Sequence, residues 1–154
     1  MKIENKLAEL GIHVPVAAAP VANYVPFVIS GNLVSISGQV PFQDGKLAFT
    51  GKVNDGVSIE DACAAARLCA LNIVAQLKAA CGGDLNRVKR IVKLGAFVNC
   101  TDGFGGQPQI INAASDLMVD IFGDAGRHSR SAVGVNALPL NVPVEIDALV
   151  EICP

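Results

Sequence analysis

The spacing of apolar side chains divides the first part of the chain into a short helix and a pair of strands. Three apolar residues at helical spacing predict a helix over residues 3–10. Strands are predicted over residues 25–30 and 33–37, and the Gly31-Asn32 pair between them is typical of a hairpin turn. This region is therefore expected to supply two adjacent strands of a sheet.

A long amphipathic helix is predicted to begin at Ser58. Ser58 and Asp61 resemble a capping box, with Asp61 in the place of the usual glutamate. Gly82-Gly83 is expected to end this helix. Three- and four-residue steps give one continuous apolar stripe, formed by Ile59, Ala62, Ala66, Cys69, Ile73 and Leu77.

The remainder of the chain changes between strand and helix periods. Residues 88–100 alternate with period two, so we predict a long strand there. A second helix is predicted over residues 107–122, followed by strands over 131–138 and 142–152. One face of the long strand is predicted to consist of Val88, Val92, Leu94, Ala96, Val98 and Cys100, and Ile91 is placed on the other face.

The main elements thus follow the order ββ-α-β-α-ββ. This order is typical of an α+β fold in which two helices cover one face of a mixed sheet. The length of 154 residues suits a single domain.

The composition of the chain indicates that some apolar side chains contact another subunit. The chain is 51% apolar and 17% charged, whereas soluble domains are about 25% charged. This composition excludes a disordered segment, and a net charge of −2 argues against a dedicated nucleic-acid binder. One domain of this size cannot bury so many apolar side chains, so we expect some of them to face another subunit.

The sequence also bears on compartment and cofactors. The N-terminus lacks the apolar core of a signal peptide, and no stretch reaches the roughly 18 uninterrupted apolar residues of a membrane span. Five irregularly spaced cysteines do not form a disulfide framework, and with only two histidines a structural zinc site is not expected. We therefore expect a reduced cytoplasmic protein that contacts no membrane and needs no metal or other cofactor.

Few polar residues are candidates for chemistry. Arg130 enters an apolar strand, where an arginine either pairs with a carboxylate or binds an anionic ligand through its planar fork. Glu145 begins the last strand and is read most simply as a solvated residue. A loop histidine without a known partner, such as His128, is more often incidental. A possible RNA-binding patch is weak in this acidic chain; it consists of Arg87, Lys89, Arg90 and Lys93.

Three segments in the same order resemble the reactive intermediate deaminase family, also called YjgF or RidA. The first is Asn23-Tyr24 followed by residues 31–41, which contain Ser-Gly-Gln-Val-Pro and resemble the family's Ser-Gly-Gln-Ile-Pro signature. The second is the region from Phe104 to Asn112. The third, residues 129–146, is similar to the family's Arg-Ser … Leu-Pro … Glu-Ile ending.

The resemblance covers residues 15–152 of a single domain spanning 1–154, with residues 1–14 as an N-terminal extension. It implies a chorismate-mutase-like fold and a homotrimer with ligand clefts between subunits. It also implies hydrolytic deamination of 2-imino or enamine acids to 2-oxo acids without a metal. The implied catalytic residues are Arg130, Glu145 and Tyr24, and the implied residues for binding a carboxylate-bearing substrate are Arg130, Gly38 and Asn112.

The sequence departs from the family pattern around these residues. The family's typical Pro-x-Arg is His128-Ser129-Arg130 here, and Ala132 stands where a cysteine is often found. Two alternatives therefore stay open beside deamination. One is the binding of small 2-oxo carboxylates without turnover, and the other, less favoured in an acidic chain, is endoribonuclease activity.

Overall fold

A computed structural model describes residues 2–19 and 22–154 of the chain. Its helices are α1 (Ile3–Leu10), α2 (Ile59–Ala80) and α3 (Gln107–Phe122). The strands, in chain order, are β1 (Phe27–Ser30), β2 (Leu33–Gln39), β3 (Phe42–Gln43), β4 (Lys46–Leu47), β5 (Lys52–Val53), β6 (Gly56–Val57), β7 (Val88–Asn99), β8 (Ser129–Val135) and β9 (Val144–Ile152). Short 3-10 turns span Leu85–Arg87, Gly123–Gly126 and Pro139–Asn141.

Five of the strands form one mixed sheet in the order β1-β2-β9-β7-β8. β7 and β8 are parallel, and the other neighbours are antiparallel. Parallel neighbours need a crossover connection, which α3 provides between β7 and β8. The predicted α+β class and the order ββ-α-β-α-ββ are confirmed.

The core lies between one face of this sheet and helices α2 and α3. The central strand β9 alternates strictly, and its buried side chains are Val144, Ile146, Ala148, Val150 and Ile152. Both helices contact the sheet and each other. The predicted placement of two helices on one face is therefore confirmed.

The predicted ends of both long helices agree with the structure. The backbone N–H of Asp61 donates to the Ser58 hydroxyl at 3.1 Å, as expected of a capping box. Gly82 and Gly83 follow the end of α2 with positive φ, a conformation that glycine adopts without strain. Ile59, at the start of the predicted apolar stripe, is exposed and does not belong to the buried core.

The predicted strict alternation along β7 was also wrong. The pairing of β7 with β9 shifts register between Ile91 and Lys93, which is a β-bulge. The extra residue turns Ile91 toward the core, where it is fully buried, while Val92 is only partly covered. A second register shift lies between Val88 and Arg90, so Val88 keeps its predicted place on the core side of the sheet.

The region between β2 and α2 contains structure that the sequence pattern did not predict. Strands β3 and β4 form one small antiparallel pair, and β5 and β6 form a small parallel pair. β8 covers residues 129–135, so it begins and ends earlier than the predicted 131–138. These segments are too short or too irregular for a period of two to be visible.

The N-terminal extension is packed against the domain. Leu7 is buried, the Glu4 carboxylate lies 3.1 Å from the Lys78 ammonium on α2, and the Ile3 backbone N–H donates to the Asn86 side chain at 3.0 Å. Helix α2 is long and apolar enough to cross a membrane by length and composition alone, but more than half of it is buried inside this globular fold. Such burial is typical of a core helix.

The sheet face opposite the helices remains uncovered within one chain. It presents Val28, Leu33 and Val133 as exposed apolar residues, and Phe97 and Leu149 are half-buried beside them. We call this surface the open face. Exposed apolar area of this kind is typical of surfaces that contact another protein.

Candidate active site

A cavity of about 370 Å³ lies where the N-terminal segment, β2 and β9 meet. Three of the residues predicted from the sequence line it together: Tyr24, Gly38 and Glu145. Most of the remaining lining is apolar, and it includes Phe42, Pro139 and Leu140. A small apolar cavity with a few convergent polar groups is the usual form of a ligand site.

The Glu145 carboxylate lies directly over Gly38. A Cβ added at Gly38 would be 2.7 Å from the Oε2 atom of Glu145, so a side chain at this position would displace the carboxylate. Glycine is therefore required here to leave room for the acid. Glu145 is half-buried in the cavity, which contradicts the simple reading of a solvated strand residue.

The environment of Glu145 favours its neutral form. Burial raises the pKa of Glu145 above its ordinary value, and the negative charge of Asp147, two residues along the same strand, raises the pKa further. The pKa of Asp147 is itself raised by burial, opposed by the Gly95 backbone N–H and the Lys93 charge. A carboxylate whose pKa is raised is a stronger proton acceptor than an ordinary glutamate.

Tyr24 is placed at the cavity by the segment that follows it. The Ser37 hydroxyl donates to the Val25 carbonyl at 2.8 Å, and the Ser37 N–H donates to the Pro26 carbonyl at 2.9 Å. These bonds hold residues 25–26 alongside β2, next to Gly38. The Tyr24 side chain is 53% exposed, so it lies at the mouth of the cavity and not in its floor.

Two buried amides of α2 support the cavity wall. The Asn72 side chain donates to the carbonyls of Val40 and Phe42 at 3.0 and 3.1 Å. The Gln76 side chain donates to the Ala18 carbonyl at 2.8 Å. Neither residue was predicted from the sequence, although two amides one helical turn apart are a usable signal, because buried amides need partners.

Arg130 does not line this cavity. Its guanidinium donates to the Ser115 hydroxyl at 3.0 Å through Nη1 and to the Pro108 carbonyl at 3.3 Å through Nη2. Arg130 pairs in register with Leu94, whose side chain is on the helix-covered face of the sheet. Among the described residues, no carboxylate lies within salt-bridge distance of this arginine.

Asn112 lies near Arg130 and not near Glu145. It is exposed on α3, four residues after Pro108 and three before Ser115. Residues at these spacings share one face of a helix. Asn112 therefore lies on the same face of α3 as the two groups that accept hydrogen bonds from Arg130.

The five predicted site residues thus form two groups within one chain. Tyr24, Gly38 and Glu145 form the group that we call the acid half-site, and Arg130 and Asn112 form the arginine half-site. Glu145 is in register with Phe97 on the open face, whereas Arg130 is on the helix-covered face. The two half-sites are on opposite faces of the sheet and do not meet in a single chain.

The other candidate groups have structural partners. Lys89 forms an ion pair with Glu151 at 2.8 Å, and the guanidinium groups of Arg87 and Arg90 donate to backbone carbonyls, so these three cations do not form a free basic patch. Burial raises the pKa of the Cys63 and Cys69 thiols. Both cysteines are thus poor nucleophiles, as expected for thiols in a helix of the core.

The fold and the arrangement of these residues define a class of protein. Comparison of the sequence with known families identifies that class. The family described as "YjgF/chorismate_mutase-like, putative endoribonuclease" matches residues 4–152 of the chain. The chain therefore belongs to the YjgF/RidA family and has its chorismate-mutase-like fold.

Individual relatives agree with this assignment. Protein TCP17 of Trypanosoma cruzi is 47% identical over 152 residues, which are 98% of this chain and 94% of that protein. The crystal structure of a protein of unknown function from Agrobacterium tumefaciens is 52% identical, with a TM-score of 0.91 over 98% of this chain and 92% of its own. TdcF of E. coli, solved with bound serine, is 28% identical, with a TM-score of 0.62 over 89% and 94% of the two chains.

Proposed function

We propose that this protein hydrolyses reactive 2-imino and enamine acids to 2-oxo acids and ammonia, in clefts between the subunits of a homotrimer. The observation that carries this proposal is the Glu145 carboxylate, held half-buried over Gly38 in an apolar cavity behind Tyr24. Membership of the YjgF/RidA family supports it.

The two half-sites support a cleft shared by two protomers. Arg130 and Glu145 lie on opposite faces of the sheet, so one chain cannot bring both to one small molecule. A closed ring of copies places one face of each protomer beside a different face of its neighbour. In such a ring, the arginine half-site of one protomer completes the acid half-site of the next.

The residue types suit a substrate that carries a carboxylate. The fork of Arg130 forms two parallel hydrogen bonds to a carboxylate, which fixes the orientation of the reacting carbon. Asn112 beside it adds an amide that can donate to a substrate oxygen. TdcF of E. coli was solved with serine, itself a carboxylate-bearing molecule, and this supports a similar ligand class for the present chain.

Hydrolysis of the imine needs one water and three proton transfers. Glu145 accepts a proton from the water while the water oxygen forms a bond to C2 of the protonated imine. The product of this step is a carbinolamine. The glutamic acid then returns that proton to the nitrogen. The C2 hydroxyl then gives its proton to the regenerated Glu145 carboxylate and becomes the keto group, while the C–N bond breaks and ammonia leaves with the bonding electron pair. Tyr24 at the mouth is placed to donate a hydrogen bond to the substrate.

Deamination is tested by generating an imino acid in situ with an amino-acid oxidase and following its decay in the presence of a trapping amine. We expect the protein to accelerate decay, and Arg130→Ala and Glu145→Gln to reduce the effect by about 100-fold or more. The surface variant Asp120→Asn is the matched control. If the wild-type trimer gives no acceleration over buffer with several amino acids, the proposed activity is excluded.

Binding of 2-oxo carboxylates without turnover is the second candidate function. The residues that would bind a substrate carboxylate can also bind such a ligand without catalysing a reaction. Calorimetry with pyruvate or 2-oxobutyrate measures it directly. Tight binding lost in Arg130→Ala, together with no acceleration of imine decay, would favour the binding function over the deaminase. Endoribonuclease activity, which the family description includes, would require RNA cleavage that survives both Arg130→Ala and stringent purification.

A further inference from the structure

A chain of hydrogen bonds behind Arg130 connects it to the backbone of the turn before β8. Arg130 Nη1 lies 3.0 Å from the Ser115 Oγ atom, which lies 2.9 Å from the His128 Nε2 atom. The His128 Nδ1 atom lies 2.6 Å from the Gly126 carbonyl oxygen. His128, read from the sequence as incidental, is therefore linked to the arginine half-site through one hydroxyl group.

When the His128 ring is neutral, the chemistry of the two end groups fixes the direction of every bond in this hydrogen-bond chain. The Gly126 carbonyl can only accept, so Nδ1 of His128 carries the hydrogen and donates it. In the neutral imidazole, Nε2 is then an acceptor, and the Ser115 hydroxyl donates its single proton to it. The lone pairs of Ser115 are left to accept from Arg130, whose guanidinium can only donate.

The Gly126 end of this hydrogen-bond chain is held by close packing. Gly126 is buried, and a Cβ at this position would overlap the carbonyl oxygen of Met118 on α3. The Gly126 backbone is thus packed directly against the helix that carries Ser115. Through His128, this rigid contact fixes the hydroxyl that holds the guanidinium.

We propose that Ser115 and His128 are positioning residues for Arg130 and set its selectivity for carboxylates, an inference that rests on the proposed function. Ser115 and the Pro108 carbonyl each take one N–H of the guanidinium. The fork is thereby held at a fixed angle, and among the described residues its remaining N–H groups have no acceptor, which leaves them available for the planar carboxylate of a 2-imino or 2-oxo acid. Holding the fork in advance reduces the entropy lost when the ligand binds.

The first experiment compares two ligands that differ only in charge. Affinities for 2-oxobutyrate and for its uncharged amide are measured by calorimetry on wild type, Ser115→Ala and His128→Phe. Both variants are expected to bind the acid about tenfold more weakly, with the amide unchanged. Ser115→Thr, which keeps the hydroxyl, is expected to restore binding, and His13→Phe is the matched control for the loss of a histidine.

Comparing the change in affinity for the acid with that for the amide distinguishes a positioning role of Ser115 and His128 from a purely structural one. Equal weakening for acid and amide, or no weakening of the acid, would overturn the proposal. A wild type that binds 2-oxobutyrate no better than Arg130→Ala would instead show that Arg130 does not bind the carboxylate, which overturns the role that the proposed function gives to this arginine, and with it the ligand part of this inference.

A second experiment tests the hydrogen-bond chain without any ligand. The ¹⁵N spectrum of the two histidines, assigned with His13→Phe, reports which ring nitrogen of His128 carries the hydrogen. We expect the Nδ1–H form in the neutral imidazole, with a weaker preference in Ser115→Ala. A predominant Nε2–H form would show that the chain does not run as assigned and would refute the positioning role.

Discussion

At the scale of single residues, the candidate site depends on residue 38 being a glycine. Gly38 has no Cβ, and the Glu145 carboxylate occupies the space that a Cβ would need. The sequence signature that contains Gly38 indicated a binding residue, but it did not show that the glycine's role includes admitting the acid. Only the packing of β2 against β9 reveals that contact.

Substitution of Gly38 by alanine is expected to lower activity strongly while the fold is retained. The added methyl group would lie 2.7 Å from the Oε2 atom of Glu145, so the carboxylate must move. A displacement of about 1 Å at a catalytic group can cost about 100-fold in rate. Imine hydrolysis and circular dichroism, measured together, check this prediction.

Gly105→Ala is the matched control, because an added Cβ there meets nothing within 4 Å. It is expected to behave as wild type in both measurements. Unchanged activity in Gly38→Ala would show that the position of Glu145 over this glycine does not matter for the reaction.

Residue types alone gave an incomplete account of the site. Arg130 was identifiable because an arginine that enters an apolar strand is unusual, whereas Glu145 was read as a solvated residue and became a candidate only through the resemblance to the YjgF/RidA family. His128 was not identifiable, because its role depends on Ser115 of α3, which is 13 residues away in sequence. The spacing of Asn72 and Gln76 was a usable signal, but their acceptors are in segments distant along the chain and could not be named from the sequence.

At the scale of elements, strand β9 places two carboxyl groups side by side on the open face. Glu145 and Asp147 are two residues apart, so their side chains point the same way. The charge of Asp147 contributes to raising the pKa of Glu145, second to burial. The strand itself therefore helps to set the protonation of the proposed proton acceptor.

Asp147→Asn is expected to move the acid limb of the pH profile of kcat/KM to lower pH. Removing the negative charge of Asp147 removes one of the two causes that raise the pKa of Glu145, so that pKa falls. Activity that needs the ionised glutamate is lost as pH falls through its pKa, and it would then persist to lower pH.

Asp120→Asn, an exposed change of the same kind on α3, is expected to leave the profile unchanged. A shift of the acid limb to higher pH in Asp147→Asn, or no shift, would contradict the role given to Glu145.

Elements with a clear period were predictable, and those that depend on a partner strand were not. Helix α3 was predicted with its observed bounds, because its apolar stripe and the glycine after it are local signals. The bulge in β7 reverses the burial of Ile91 and Val92, and a bulge is a property of strand pairing. No local pattern around Ile91 indicates it.

At the scale of the whole molecule, the open face carries several of the apolar side chains that the domain core does not bury. Exposed Val28, Leu33 and Val133 are on the open face, which one chain leaves uncovered. The same face carries Glu145, so the surface expected to contact another subunit adjoins the acid half-site. Sequence composition indicated such a surface, and the resemblance to the YjgF/RidA family supplied the expectation of a trimer.

Val133→Lys is expected to weaken the proposed trimer and to lower the proposed activity with it. A charge placed on the open face would have to be buried without a partner in the assembly, which is costly. Sedimentation velocity and imine hydrolysis over a range of protein concentrations measure the two effects.

Val16→Lys introduces the same charge at a position that is 95% exposed, and it is expected to change neither property. A Val133→Lys protein that stays trimeric and fully active would show that the open face is not the contact surface.

The central claim, that the arginine half-site and the acid half-site meet between protomers, is tested most directly by subunit mixing. Arg130→Ala and Glu145→Gln proteins, each inactive alone, are unfolded together in equal amounts and refolded, and imine hydrolysis is measured. Random assembly places an intact Arg130 beside an intact Glu145 in about one cleft in four, so about a quarter of wild-type activity should return. Activity that stays at the level of the two separate variants would contradict the claim.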